Sequence, residues 1–170
     1  MKAIKIINKY GAERGENGMP KYLPGINILF GLKGETKKTF EENLSSLKHI
    51  LESDLLIRRI NIRQVVPFPG TPLEESVGNK YLRKNKRFYY SWRKKIRENI
   101  DHNMLKKIVP KNTILHSLTA EIYDGNTTFC RQLGTYPLIV GIKGRIPLKT
   151  KINVKVTGYM LRSIIGEIAE

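Results

Sequence analysis

The hydrophobic pattern is clearest between residues 26 and 72, where it predicts a strand, a helix and a second strand. The run INILFGL (26–32) is mostly apolar and carries no charge, as expected of a buried strand. Apolar residues then recur at spacings of four, three and four, at Phe40, Leu44, Leu47 and Leu51, and so share one helix face. The run RINIRQVVPF (59–68) is rich in β-branched residues, ends among prolines and predicts the second strand.

Short connections between these segments favour a βαβ unit with parallel strands. Thr36 is placed to cap the helix, and Thr39 stands three residues on, where a capping box usually has Glu or Gln. Parallel strands normally have cover on both faces and several neighbours, but no third strand of this kind follows in the chain. We therefore expect the unit to be a piece of a larger sheet or barrel.

The residues before this unit predict a helix and a long loop. Ala3, Ile4, Ile7 and Tyr10 lie near helical spacing, and Gly11 is a plausible helix end. Residues 12–25 contain three glycines and two prolines and predict a loop. A loop of this length in a compact unit is either functional or packed against a part of the protein that this sequence lacks.

A second amphipathic helix follows the proline-rich loop PFPGTP (67–72). Its apolar face is formed by Tyr81, Phe88, Trp92, Ile96 and Ile100, and lysines and arginines occupy much of the rest of its surface. Because the aromatic residues lie on the apolar face, we interpret them as core contacts in preference to base-stacking platforms. Residues 104–109 predict further turns that end at Pro110.

From Thr113 onward the hydrophobic period changes to two. The runs ILHSLTAEIYDG, TTFCRQLGTYPLIVGI and KINVKV predict a small antiparallel barrel or meander of about five strands. We place the domain boundary near Pro110, which divides the chain into residues 1–111 and 112–170. The second unit is near the lower size limit for an independent core, so we expect it to lean on the first.

Charge changes this picture, because the net charge of +16 is unevenly distributed. Residues 79–111 hold twelve basic and two acidic residues, or +10, while the segments on either side carry +3 each. A concentrated excess of this size favours a polyanionic partner, most simply nucleic acid. The alternative is a proteome in which every protein surface is rich in lysine.

Candidate chemistry is sparse. His49, His102 and His116 are scattered without metal-ligand spacing, and a single cysteine, Cys130, forms neither an internal disulfide nor a metal cluster by itself. We interpret Cys130 as a small buried strand residue. The sequence contains no apolar run near the ~18 residues of a membrane span and no secretory leader, so we expect a cytoplasmic location.

Two motifs resemble a known family. PGINILFGLKGETKKTF (24–40) is similar to the G-x-P-G-E-T turn after a late barrel strand of radical S-adenosylmethionine iron–sulfur proteins, although Lys33 stands where many members have proline. RRINIRQVVPFPGTP (58–72) resembles their next strand, with its P-x-x-G-T-P ending. Weaker similarity covers RGENGMPKYLPG upstream and GRIPLKTKINVKVTGYMLRSIIGEI downstream. The downstream part resembles the TRAM-type RNA-binding barrel, through Val154, Val156, Ile165, Gly166 and Glu167.

The resemblance implies the C-terminal βαβ part of a radical-SAM-type (partial TIM) barrel, a basic helical segment and a small TRAM-like β-barrel. The family's chemistry needs a [4Fe–4S] cluster on three cysteines in a C-x-x-x-C-x-x-C loop, which this sequence lacks. We therefore expect a fragment or subunit of a radical-SAM enzyme, RNA-modifying or related, that is inactive and binds no cofactor when it is alone. It would bind S-adenosylmethionine and a cluster only when an upstream chain completes the barrel. The alternative is a stand-alone RNA-binding module.

The predicted sites follow from these two readings. If the barrel is completed, the resemblance implies that the carboxyl ends of the two parallel strands contact S-adenosylmethionine, through Phe30, Gly31, Leu32, Gly34, Gln64, Val65 and Val66. The two glycines equally fit a tight strand-to-helix turn. Arg58, Arg59 and Arg63 could reach a substrate phosphate, but we favour ion pairs, expecting helices to cover the face that Arg59 and Arg63 share. The predicted nucleic-acid contacts are Arg83, Lys84, Arg87, Arg93, Lys94, Arg131, Lys143 and Arg145.

Overall fold

The structure is a computed structural model that describes residues 1–134 and 138–169. Its first part contains the helices α1 (Lys2–Gly11), α2 (Lys37–Glu52), α3 (Pro72–Ser76), α4 (Lys80–Ile96) and α5 (His102–Ile108), with strands β1 (Gly25–Phe30) and β2 (Arg59–Gln64). A π-helical turn, Arg97–Asp101, joins α4 to α5. Its second part contains β3 (Ile114–Asp124), β4 (Thr127–Gln132), β5 (Ile139–Lys143), β6 (Lys151–Tyr159) and β7 (Ile164–Ile168). None of the helices in the described ranges is long and apolar enough to cross a membrane.

The predicted βαβ unit is confirmed as a parallel pair of strands with a helix between them. Gly25 pairs with Arg59, and the register runs without interruption to Phe30 and Gln64. Helix α2 begins after Thr36, whose backbone N–H donates to Thr39 Oγ1 at 3.2 Å, so the threonine at the third helical position takes the role predicted for it. Strand β2 ends at Gln64, before Pro67 and Pro69.

The two faces of this pair are different. Alternate residues Ile26, Ile28 and Phe30 point toward the helices, and Phe30 is only 1% exposed. Its ring stacks on Phe40 of α2 at 4.7 Å between centroids and meets Trp92 of α4 edge-on at 4.5 Å. Helices α2 and α4 therefore cover one face of the sheet with an aromatic core, as the aromatic spacing predicted.

The opposite face of the pair has no helix on it in the described part of the chain. Leu29 is 48% exposed, Arg59 and Arg63 are exposed, and the side chains of Asn61 and Asn27 hydrogen-bond across the two strands at 2.7 Å. The expectation that helices cover Arg59 and Arg63 is wrong. Alternation along a strand shows which residues share a face of the sheet, but it does not show which face the helices cover. Here the helices pack on the face that contains Phe30.

The second part of the chain is a closed five-stranded barrel, in the order β3-β4-β5-β7-β6 with β6 returning to β3. Four of the five pairings are antiparallel, but β5 and β7 are parallel, so the predicted antiparallel barrel is corrected at this seam. Fully buried side chains fill the interior, among them Leu118, Cys130, Val154 and Ile164. Part of the predicted run TTFCRQLGTYPLIVGI, at positions 135–137, lies outside the described residues.

The long loop after α1 packs against this barrel. The Asn17 carbonyl accepts hydrogen bonds from Gln132 Nε2 at 2.6 Å and from the His116 N–H at 3.2 Å. A Cβ on Gly18 would lie 2.1 Å from the Ile114 carbonyl oxygen, so only glycine allows this approach. The loop therefore packs against the barrel of this same chain, and the expectation that it packs against a missing part of the protein is corrected.

Contacts from the helices also join the two parts. The Tyr159 hydroxyl of β6 donates to the carbonyl of Val109, directly after α5, at 2.8 Å. Buried residues of α5 and of the barrel belong to one continuous hydrophobic core. The barrel thus leans on the helical part, as its small size led us to expect.

Candidate nucleic-acid interface and sheet edge

The outer face of α4 carries a row of cations. Arg83, Arg87 and Lys94 are separated by four and seven residues, which places them on one side of the helix, opposite the buried Trp92. Lys84 and Arg93 lie toward the two flanks. All five predicted contacts on this helix are exposed, and we call them the α4 basic face: Arg83, Lys84, Arg87, Arg93 and Lys94.

Few carboxylates neutralise the α4 basic face. Lys94 Nζ lies 3.9 Å from Glu98 Oε1, a distance that makes a weak, solvated pair. The Arg87 guanidinium lies 5.2 Å from the Phe88 ring, a contact that orders the side chain without cancelling its charge. Within residues 1–134 and 138–169, the other members make no ion pair with a carboxylate. The field of this helix is therefore strongly positive.

The three predicted barrel cations are placed in two groups along β4 and β5. Arg131 pairs with Ile139, whereas Lys143 pairs with Thr127 at the far end of the same ladder. Four residues of strand separate the two ends, or about 13 Å at ~3.3 Å per residue. Arg145 lies 5.4 Å from the Tyr123 ring, next to Lys143. The barrel therefore does not gather these three cations into one cluster.

Arg131 differs from the other two in its pairing. Its Nη2 lies 3.2 Å from Glu121 Oε2, and both side chains are about two-fifths exposed. The pairing holds the guanidinium beside the bulge where β3 shifts register between Ala120 and Ile122. In the described residues, no hydrogen bond or ion pair joins Arg131 to the α4 basic face.

The residues predicted to contact S-adenosylmethionine divide into packed and open positions. Phe30 and Val65 are buried, and the Val65 N–H donates to the Phe30 carbonyl at 2.8 Å. Gln64 is half-buried at the end of β2. Leu32 and Val66 are 45% and 65% exposed, so they are the apolar side chains at this edge that a ligand could reach.

Both glycines at this edge adopt the left-handed backbone conformation that their turn requires. Gly31 has φ +94°, and an added Cβ would lie 2.5 Å from Leu82 Cδ2 and 2.7 Å from Val65 Cγ2. Gly34 has φ +84° but open space around it. The two glycines therefore form a tight turn between β1 and α2, and the absence of a side chain at Gly31 also lets Leu82 of α4 pack closely against the turn.

Sequence reasoning missed the buried anchor of this turn. Glu35 is 6% exposed, and its Oε2 accepts the Gly31 N–H at 3.0 Å while its Oε1 accepts from Asn85 Nδ2 at 3.0 Å. Asn85 also donates to the Glu35 carbonyl at 3.3 Å. A polar Asn in the apolar stripe of α4 was the observation that could have indicated this network.

Sequence reasoning also missed the open polar face of the β1–β2 pair. Asn27, Asn61 and Arg63 alternate with the apolar residues of the two strands and line up because the strands are parallel and in register. This face adjoins the edge where Leu32 and Val66 lie. Together they form the candidate ligand-facing surface of the α/β part.

An iron–sulfur cluster does not fit the residues of this chain. Cys130 is fully buried inside the barrel, where burial raises the pKa of its thiol and so disfavours the thiolate that metals bind. The described residues also contain no group of three His, Cys, Asp or Glu side chains that could hold a metal ion.

Comparison with known proteins yields relatives but no family. No protein-family model matches the chain. An uncharacterized protein of Archaeoglobus fulgidus is 46% identical over 170 residues, which cover 100% of this chain and 32% of that protein. An uncharacterized protein of Methanocaldococcus jannaschii is also 46% identical over 170 residues, covering 99% of this chain and 31% of that protein. The chain thus spans about a third of the length of these two relatives.

Proposed function

We propose that this chain binds RNA through the α4 basic face, with Arg131, Lys143 and Arg145 of the barrel as additional contacts. The observation that carries the proposal is the concentration of exposed, largely unneutralised cations on one side of one helix. A solvated helix that served only to keep the protein soluble would be expected to alternate lysines with acidic residues, as α2 does. Helix α4 itself contains no acidic residue.

The α/β part supports a wider proposal, that the chain works as the RNA-binding portion of a radical-SAM-type enzyme. Its two parallel strands have helices on one face and an open polar face on the other, as in a segment of a larger barrel. The roughly threefold greater length of the relatives agrees with further strands elsewhere in such proteins. Leu32, Gly34 and Val66 would then contact S-adenosylmethionine, and another segment or chain would hold the cluster.

A stand-alone RNA-binding module is the second candidate, and the closed barrel favours it. The OB-fold, another five-stranded barrel, is an example of a small barrel that binds oligonucleotides. Iron content separates the two candidates. If coexpression with the preceding reading frame gives a complex with iron and the absorbance of a [4Fe–4S] cluster, the enzyme proposal is supported; a chain that forms no such complex supports the module.

The RNA proposal is tested by a salt titration of affinity. Each phosphate contact releases counterions, so the slope of log affinity against log salt should be about 0.7 to 0.9 per contact. Replacing Lys84, Arg87 and Lys94 by Ala should flatten the slope for transfer RNA by about two to three units. The same replacements should change preference among RNA sequences little, because phosphate contacts carry no sequence information.

A matched control removes the same charge elsewhere. Lys2, Lys5 and Lys9 of α1 are also exposed, so their triple Ala variant lowers net charge by the same amount. It should leave the slope nearly unchanged. Equal slopes for the wild type and the α4 variant, or equal losses in the two variants, would mean that α4 is merely solvated and that the charge acts as a diffuse property of the whole surface.

A further inference from the structure

A cavity of about 600 Å³ lies where the helical part meets the barrel, and we call it the junction cavity. It is lined by the start of β2, the π-helical turn and α5 on one side, and by β3, β4, β5 and the β6–β7 turn on the other. This volume is within the range of small-molecule sites, which are typically ~300–1,000 Å³. Of the residues that the sequence analysis considered for ligand contacts, Arg58, Arg59 and Arg131 line it.

Its walls are apolar and well suited to a planar ring. Met104 from α5, Phe129 from β4 and Met160 from the β6–β7 turn line it, and the Ile57 N–H lies 3.5 Å from Met104 Sδ, which fixes that side chain. Methionine thioethers and a phenylalanine ring make favourable contacts with aromatic groups. Ile122, also in the lining, is 59% exposed and leaves the cavity open to solvent on the barrel side.

Its rim carries an excess of positive charge. The lining contains two carboxylates, those of Asp101 and Glu121. It contains four arginines: Arg58, Arg59, Arg131 and Arg162. Glu121 is paired with Arg131, and Asp101 with Arg97 from outside the lining. Arg162 and Arg59 both lie near enough to Asp101 to act on its charge. A guanidinium fork at the edge of an apolar pocket is the arrangement that holds a phosphate while a base enters the pocket.

We propose that the junction cavity binds one nucleotide, with the base against Met104, Phe129 and Met160 and the phosphate on the arginines of the rim. The proposal rests in part on the proposed RNA binding, since Arg131 belongs to both sites. The nucleotide could come from a free nucleoside monophosphate or from an unstacked residue of single-stranded RNA. Either source presents the same base and phosphate to the same side chains.

The four methionines provide a direct test. Met104 and Met160 line the cavity, whereas Met1 and Met19 lie outside its lining and serve as internal controls. With methyl-¹³C-methionine labelling, titration with AMP and UMP should shift the methyl resonances of Met104 and Met160 and leave Met1 and Met19 in place. A short single-stranded oligonucleotide that moves the same two resonances identifies RNA as a source, and its failure to do so identifies free nucleotide.

Removing the charge of one rim arginine tests the phosphate contact, and removing one charge elsewhere serves as the control. Arg162→Gln should weaken AMP binding about tenfold, or about 1.4 kcal/mol, because it removes a charge-assisted hydrogen bond to the phosphate. It should leave adenosine, which has no phosphate, little affected. Lys151→Gln removes the same charge from an exposed position of the barrel outside the cavity lining and should leave AMP binding unchanged. An unchanged Met19 resonance shows that each variant is folded.

Two results would overturn the proposal. One is the absence of any Met104 or Met160 shift at millimolar nucleotide, and the other is an equal shift produced by inorganic phosphate alone. Neither result affects RNA binding by α4, which the α1 and α4 variants test separately. Conversely, AMP shifts that persist while transfer RNA binding shows no salt dependence would uphold the cavity and contradict the proposed function.

Discussion

The barrel and the β1–β2 pair differ in how completely the backbone hydrogen-bonding groups at their strand edges are paired. Every strand of the barrel has two neighbours, since β6 returns to β3, and closure leaves no free sheet edge. In the described residues, β1 and β2 pair only with each other, so each presents an unpaired edge. Closure makes the barrel self-sufficient in hydrogen bonds, whereas the parallel pair depends on its helices.

The helices cover only one face of the β1–β2 pair, and a functional surface is therefore expected on the other face. Two strands alone are marginally stable in water, and packing against helices supplies what they lack. The helices cover the Phe30 face only, so the opposite face, with Asn27 and Arg63, is available for a ligand or for another part of a larger protein. The barrel offers its outer surface and the junction cavity instead.

The largest expected effect separates the two faces of β1. Phe30→Ala removes the centre of the aromatic core and should lower the free energy of unfolding by about 3–5 kcal/mol. Leu29→Ala, one residue earlier on the open face, should cost less than about 1 kcal/mol, because its side chain is already half exposed. Urea denaturation of both variants measures the difference. Similar losses in the two variants would contradict the open face.

The next effect compares the two glycines of the turn after β1. Gly34→Ala should cost about 1–2 kcal/mol for the left-handed conformation alone, since no atom of the described residues lies within 4 Å of the added methyl group. Gly31→Ala should cost about 1–3 kcal/mol more, because its methyl group would overlap Leu82 and Val65. Thermal unfolding of both variants checks the order, and a smaller loss for Gly31→Ala would show that α4 does not pack against this turn.

The smallest effect is a pH dependence at the boundary between the two parts. Burial raises the pKa of Asp101 above its ordinary value of 3.8, against the hydrogen bond and charge of Arg97, which lower it. The unfolded chain then loses the proton first. The contribution of this carboxyl to stability is therefore complete below pH 3.8 and is lost as pH rises through the higher pKa of the folded state.

Asp101→Asn isolates that contribution, because Asn keeps an oxygen that can accept from Arg97. The stability of the wild type relative to this variant should fall as pH rises above 3.8 and then level off. Denaturation series at several pH values measure the difference. A relative stability that rises with pH would show that the Arg97 ion pair, and not burial, dominates at this position.

The sequence predicted most elements because local periodicity determines them. The alternation of β1 and β2 and the 3.6-residue period of α2 and α4 are visible in any short window, and Pro110 lies just after the helices, as expected. The parallel seam between β5 and β7 could not be predicted, since it depends on how distant strands meet when the barrel closes. The covered face of β1 depended likewise on tertiary packing.

The candidate sites show the same division. The α4 basic face was predictable because its residues lie within about three turns of one another on a helix with 3.6 residues per turn. The junction cavity was not predictable, because Ile57, Met104, Phe129 and Met160 come from four segments spread over about 100 residues of sequence. The Glu35 and Asn85 pair, 50 residues apart, is a smaller example of the same limit.

Native-state hydrogen exchange of the backbone amides tests the comparison most directly. Amides of the closed barrel, such as those of Cys130 and Val154, should exchange only through global unfolding. Amides of the open pair, such as those of Ile28 and Ile62, should exchange faster through local opening, since their strands have one neighbour each in the described structure. Equally slow exchange in the two regions of the isolated monomer would contradict the claim that the parallel pair is incomplete.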